Sequence, residues 1–266
     1  MLTKIKAFCK EPMVWLLAAI SLLLLISLIL LIVLLRRPAP QPQVSAEPTQ
    51  VTTAPTAPTE IPTQPTTPPV YGIDVSEHQE AIDWQQVKAS GMEFVMIRVG
   101  WRGETQGELF ADTLAQTHYA GAKAAGLKVG AYIFSQANTP EEGTEEAEFL
   151  LEQTKDWEID MYLVLNWEHL SDDNRTNSVD ARLLTDITKA FCQEISQAGK
   201  EPMVYFDAYL AKTRLHPEEL TEYPFWLAQY AEEMDFSYPV KMWQYTSTGT
   251  VPGIEGNVDI NRYYAN

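Results

Sequence analysis

Five side chains able to do chemistry stand at the ends of short runs of apolar and β-branched residues: Asp74, Asn166, Glu168, Asp207 and Asp259. Asn166 and Glu168 are two positions apart, so in an extended strand they project from one face while Trp167 points the other way. Glu168 follows Leu163-Val164-Leu165 and lies close to other acidic groups. Desolvation and like charge raise a carboxyl pKa, which is what a general acid needs in order to protonate a leaving sugar oxygen. Their convergence fits glycosidic chemistry. Taken singly, each acidic residue reads equally well as a helix cap or as the partner of an arginine.

Aromatic residues recur on the same runs: Tyr132, Trp167, Tyr205, Trp226, Tyr230, Trp243 and Tyr245. Flat rings pack against the apolar faces of pyranoses. Trp226 and Trp243 equally suit a barrel interior, and their nearness to Gln229 and Gln244 is what points to a ligand cleft. His78, His118, His169 and His216 show no paired metal spacing, and no serine stands in a nucleophile elbow. His78 is expected at the cleft mouth, His118 and His216 on the surface or on helices.

Eight strands are needed to carry these groups: Val70-Asp74, Phe94-Gly100, Lys128-Ser135, Met161-Glu168, Pro202-Asp207, Phe225-Tyr230, Lys241-Thr246 and Asn257-Tyr263. Helical patterns fall between the early ones, at Ile82-Ser90, Asp112-Ala125, Pro140-Thr154 and Val179-Ala198. Gly91, Gly126 and Gly199 suit helix C-termini. Strand and helix alternate and then strands predominate, which predicts an α/β protein with a parallel sheet closed into an irregular (β/α)8-like barrel, its later helices shortened or missing. An open doubly wound sheet is the alternative. It lacks the Gly-rich loop that should follow the first strand, where Asp74-Val75-Ser76-Glu77 stands instead.

Ahead of this domain, Met13 to Leu35 is an uncharged run of 23 residues interrupted only by Ser21 and Ser27. It is long enough to cross a hydrocarbon core of about 30 Å as a transmembrane helix. A secretory signal would have a shorter apolar region and a closer cleavage site than Val44-Ser45-Ala46 offers. Residues 1–12 then form a short cytoplasmic segment and 36–69 a Pro/Thr-rich disordered linker, with the folded domain at 70–266 outside the cell membrane. Cys9 and Cys192 fall on opposite sides of the span, so no disulfide joins them. The chain has a net charge of −17, and the domain carries −19 once five basic and three acidic residues before Val70 are set aside. Nucleic acid is thereby disfavoured as a partner.

Ordered blocks across the domain resemble glycoside hydrolase family 25, the N-acetylmuramidase lysozymes. They are Tyr71-Gly72-Ile73-Asp74-Val75-Ser76 with Gln79 and Ile82-Asp83-Trp84, then Phe94-Val95-Met96-Ile97-Arg98, Gly130-Ala131-Tyr132, Phe225-Trp226-Leu227-Ala228-Gln229-Tyr230, Trp243-Gln244-Tyr245-Thr246 and Val258-Asp259-Ile260-Asn261. The resemblance implies hydrolysis of the β-1,4 bond after N-acetylmuramic acid in peptidoglycan glycan strands, without metal or organic cofactor. It makes Glu168 the acid/base and Asp74 and Asp259 its supporting acids. Tyr132, Tyr205, Trp226, Gln229, Tyr230, Gln244 and Arg98 become the expected substrate contacts. The family's fourth strand usually ends in Asp-x-Glu, and here Asn166 takes the place of that Asp. Glu80 stands where Gly is usual after Gln79, and Ile133 where His often follows Tyr132. Asn166 can hydrogen bond to an acetamide but brings no negative charge to an oxazolinium, which leaves a glycan-binding domain with weakened catalysis as the alternative.

Overall fold

The computed structural model describes residues 68–170 and 174–265. The expected span Met13 to Leu35, the linker up to residue 67 and Cys9 lie outside the described residues. Among the described residues no helix is long and apolar enough to cross a membrane.

Among the described residues nine strands form one sheet: β1 (Val70–Val75), β2 (Phe94–Arg102), β3 (Leu109–Ala111), β4 (Lys128–Ser135), β5 (Leu163–Trp167), β6 (Pro202–Asp207), β7 (Phe225–Ala228), β8 (Met242–Gly249) and β9 (Val258–Tyr263). The order β1-β9-β8-β7-β6-β5-β4-β2, with β1 pairing back on β2, closes an eight-strand barrel, and β3 is an extra antiparallel edge on β2. The helices α1 (Trp84–Ala89), α2 (Ala115–Ala124), α3 (Pro140–Gln153), α4 (Ala181–Gln197) and α5 (Ala208–Thr213) occupy the early connections. No helix separates β7 from β8 or β8 from β9. The barrel and its dwindling helices are as the sequence pattern predicts.

One expectation needs correcting, because the sheet is not wholly parallel. β9 runs antiparallel to both β8 and β1. Only Thr250 to Asn257 separates β8 from β9, whereas a parallel crossover needs about a dozen residues or more. Gly253 and Gly256, both at positive φ, turn the chain back on itself.

The helices are held by caps written into the sequence. Asp83 accepts hydrogen bonds from Gln85 N and Gln86 N, Thr139 accepts one from Glu142 N, and Asp180 accepts one from Leu183 N. Along α4, Leu184, Ile187, Phe191 and Ile195 recur at helical spacing and are buried. Gly143 lets α3 approach α4, since a Cβ there would lie 2.7 Å from Ile187 O.

Two apolar layers result, one between strands and helices and one inside the barrel. The inner one is built from Phe94, Met96, Tyr132, Val164, Met203, Tyr205, Trp226 and Met242, among others. Burying each such side chain contributes roughly 1.5–3 kcal/mol. Inward-facing residues, read at every second position, pass from apolar to polar along each strand: Met203-Tyr205-Asp207 on β6, Val164-Asn166 and then Glu168 on β5, Met242-Gln244 on β8. On β9 the series is reversed, Asp259-Asn261-Tyr263, as its opposite direction requires. The floor of the barrel is thus greasy and its mouth polar.

Glu80 shows a local cost. It has φ 46° and ψ −120°, and it is the only non-glycine residue with positive φ among those described. A Cβ makes this conformation costly, by about 1–3 kcal/mol. Glu80→Gly is expected to raise stability by about 1 kcal/mol after the entropy of the unfolded chain is counted, and Tm by about 2–4 °C. An unchanged or lowered Tm would contradict this.

Candidate active site

The polar mouth is a cleft of about 920 Å³ whose lining includes Asp74, Glu77, Arg98, Asn166, Glu168, Asp207 and Asp259. Asp74 comes from near the end of β1, Glu168 follows β5 directly, and Asp207 ends β6. Asp259 arrives differently, as the second residue of β9, and it is paired in register with Asp74. The sequence reading placed it at a C-terminal strand end. The reversal of β9 brings it to the same mouth from the other direction.

Asp74 is buried and receives two amides on Oδ2, Asn261 Nδ2 at 2.7 Å and Gln244 Nε2 at 3.0 Å. Behind them, Trp226 Nε1 donates to Asn261 Oδ1 at 2.8 Å, while Tyr230 OH donates to Gln244 Oε1 at 2.9 Å and Tyr205 OH at 3.4 Å. Burial pushes the Asp74 carboxyl well above the usual range, and the adjacent Asp259 adds to this, against the two amides. Asp259 is raised by burial and drawn back by its hydrogen bond to Asp74. Both carboxyls of the pair are thus raised, Asp74 the further of the two.

Glu168 is also raised, first by burial and then by the charges of Asp207 and Asp259, while the side chains of Tyr205 and Asn166 favour its ionised form. Asn166 is buried beside it, and its Oδ1 has no hydrogen-bond partner among the described residues. Asp207 lines the cleft and also caps α5 by accepting from Leu210 N at 2.7 Å, so the capping reading of this residue holds too.

Of the expected contacts, Tyr132, Tyr205, Gln229, Tyr230, Gln244 and Arg98 line the cleft. Trp226 does not. It is fully buried in the barrel interior, beneath the polar layer, and reaches the site only through Asn261. Arg98 is committed to the wall: Nε donates to Asp112 Oδ2 at 2.9 Å, Nη2 lies 3.5 Å from Glu77 Oε1, and the guanidinium sits over the Trp101 ring at 5.0 Å. Gln229 Oε1 accepts from Asp235 N at 2.8 Å. His78 is at the mouth as expected. His118 is on a helix, α2, which is one of its two expected places, but it is buried there, with Nε2 3.2 Å from Ser76 O, and burial lowers its pKa.

Sequence reasoning missed Glu77, Asp112, Trp101 and Tyr209. Glu77 sits in the 3-10 turn Glu77–Gln79, fixed by Ser76 and Gln79 capping each other, and accepts from Thr113 Oγ1 at 2.8 Å. The Ser-x-x-Gln spacing was the available signal. Trp101 and Phe110 stack across the β2–β3 hairpin at 5.5 Å, and Tyr209 is exposed on the rim.

A (β/α) barrel with buried carboxyls gathered at the mouth of its strands is the architecture in which barrel enzymes place their sites. The family model for glycosyl hydrolases family 25 matches residues 73–254, and the chain belongs to that family. It is 29% identical over 195 residues to the autolytic lysozyme of Clostridium acetobutylicum, covering 72% of this chain and 55% of that protein. It is 28% identical over 211 residues to lysozyme M1 of Streptomyces globisporus, covering 74% and 68%. Among solved structures, the modular autolysin LytC from Streptococcus pneumoniae superposes with a TM-score of 0.63 at 26% identity, over 74% of this chain and 47% of LytC. LytC in complex with a synthetic peptidoglycan ligand matches equally. The chain thus spans only about half the length of the first of these relatives and of LytC.

Proposed function

We propose that the chain is a peptidoglycan hydrolase, an N-acetylmuramidase that cuts the β-1,4 bond between N-acetylmuramic acid and N-acetylglucosamine. The observation that carries this reading is Glu168 itself, a carboxyl held above its ordinary pKa at the mouth of a family 25 barrel. Protonated, it gives its proton to the leaving glycosidic oxygen; ionised, it takes one from the attacking water. The substrate's acetamide oxygen closes on the anomeric carbon in the first step. Asn166 holds the acetamide through its side-chain amide, and the Asp74–Asp259 pair supplies negative charge from below the sugar. Tyr132, Tyr205, Tyr230 and Gln244 supply the surrounding contacts. A relative named autolytic lysozyme and the LytC complex with a peptidoglycan ligand support the substrate class.

The cellular setting belongs to the same proposal. Met13 to Leu35 anchors the chain in the cell membrane with a cytoplasmic N-terminus, and residues 36–69 act as a stalk that lets the domain reach extracellular wall polymer.

A second reading, a glycan-binding domain that cuts little, is favoured by one observation, the neutral Asn166 where charge is wanted. Incubating the purified chain with purified peptidoglycan and following new reducing ends decides between them. Release by the wild-type chain supports the hydrolase. Tight retention on glycan without release overturns it in favour of the binder.

A further inference from the structure

The segment that follows β4 grips the segment that ends β5. Gln136 is fully buried, and its Nε2 donates to Glu168 O at 2.7 Å and to Ser135 O at 2.8 Å. Asn174 Nδ2 donates to Gln136 Oε1 at 3.2 Å, and Arg175 Nη1 donates to Gln136 O at 2.6 Å. Arg175 is itself held by Glu142, at 2.8 Å from Nη1 to Oε2. One residue along, Trp167 Nε1 donates to Ala137 O at 2.8 Å. Glu168 lies one position beyond the last ladder residue of β5, where sheet hydrogen bonds no longer fix the backbone.

We infer that Gln136 is a positioning residue for Glu168, holding its main chain so that the carboxyl points into the cleft at the depth where it is desolvated. This rests on the reading of Glu168 as the acid/base. The groups that face the Glu168 side chain are Tyr132 from β4, Asn166 from β5, Tyr205 and Asp207 from β6, Tyr230 after β7 and Asp259 from β9. None of them is a hydrogen-bond partner of Gln136, so removing the amide changes the position of Glu168 without removing a charge or ring around it.

Gln136→Met keeps the length of the side chain and deletes the donor. Its kcat for reducing-end release is expected to fall about tenfold or more with KM little changed. The Glu168 carboxyl, followed by ¹³C NMR of the purified chain and assigned with Glu168→Gln, is expected to titrate lower by about half a unit or more as it gains solvent. Should the buried substitution prevent folding, Asn174→Ala, at a half-exposed position, loosens the same amide and is read the same way. Wild-type titration with wild-type kcat overturns the inference, as does a loss of turnover with an unmoved Glu168 titration, which marks Gln136 as structural only. If the wild-type chain releases no reducing ends, the titration alone decides: a shift sustains the positioning role while the muramidase reading falls.

Discussion

Glu168→Gln is expected to lower kcat for release of reducing ends by about 10³-fold, with binding of glycan retained within a few-fold. The amide fills the same space on the cleft wall but neither gives a proton to the leaving oxygen nor accepts one from water. The pH dependence gives a second readout. Because burial and the charges of Asp207 and Asp259 raise the Glu168 pKa, the group stays protonated above the ordinary carboxylate range, and the wild-type rate should fall only as pH rises through that raised value. In Glu168→Gln the residual rate should lose this alkaline limb. Turnover within tenfold of wild type would remove Glu168 from the acid/base role.

Asn166→Asp is expected to act in the opposite direction, raising kcat by about 10²-fold. A carboxylate at this position places negative charge beside the acetamide as it turns into a positively charged ring, where a neutral amide offers only a dipole. The change also bears on Glu168. Asn166 favours the ionised form of Glu168, and replacing it with a like charge both removes that support and adds repulsion. The Glu168 pKa therefore rises, and the alkaline limb of the rate profile should move to higher pH along with the gain in rate. A variant no faster than wild type would show that the amide does not limit the reaction.

Much of the barrel was legible because its strands follow simple rules. The runs Lys128–Ser135 and Pro202–Asp207 are bounded by turn residues and begin and end where the sequence pattern puts them. Period-two alternation placed Asn166 and Glu168 side by side, and both do line the cleft. The direction of β9 was readable in principle from the short link before it, but the expectation of a parallel sheet concealed it. Trp226 was misjudged because alternation gives the face of a strand and not the depth: it points inward, but two residues below the mouth. Gln136 and Asp112 carry no local signature of their roles, since Gln136 acts on Glu168, 32 positions away, and Asp112 on Arg98 and Glu77, 14 and 35 positions away.

The antiparallel β9 joins the first strand of the domain to its last, and the paired carboxyls lie across that seam. Asp74 receives its shortest hydrogen bond from a residue 187 positions later. A chain still missing its final strand has a barrel with an open side, one carboxyl of the pair and no amide from Asn261. The geometry thus assembles the Asp74–Asp259 pair only as the barrel closes, so the polar mouth and the complete sheet come into being together.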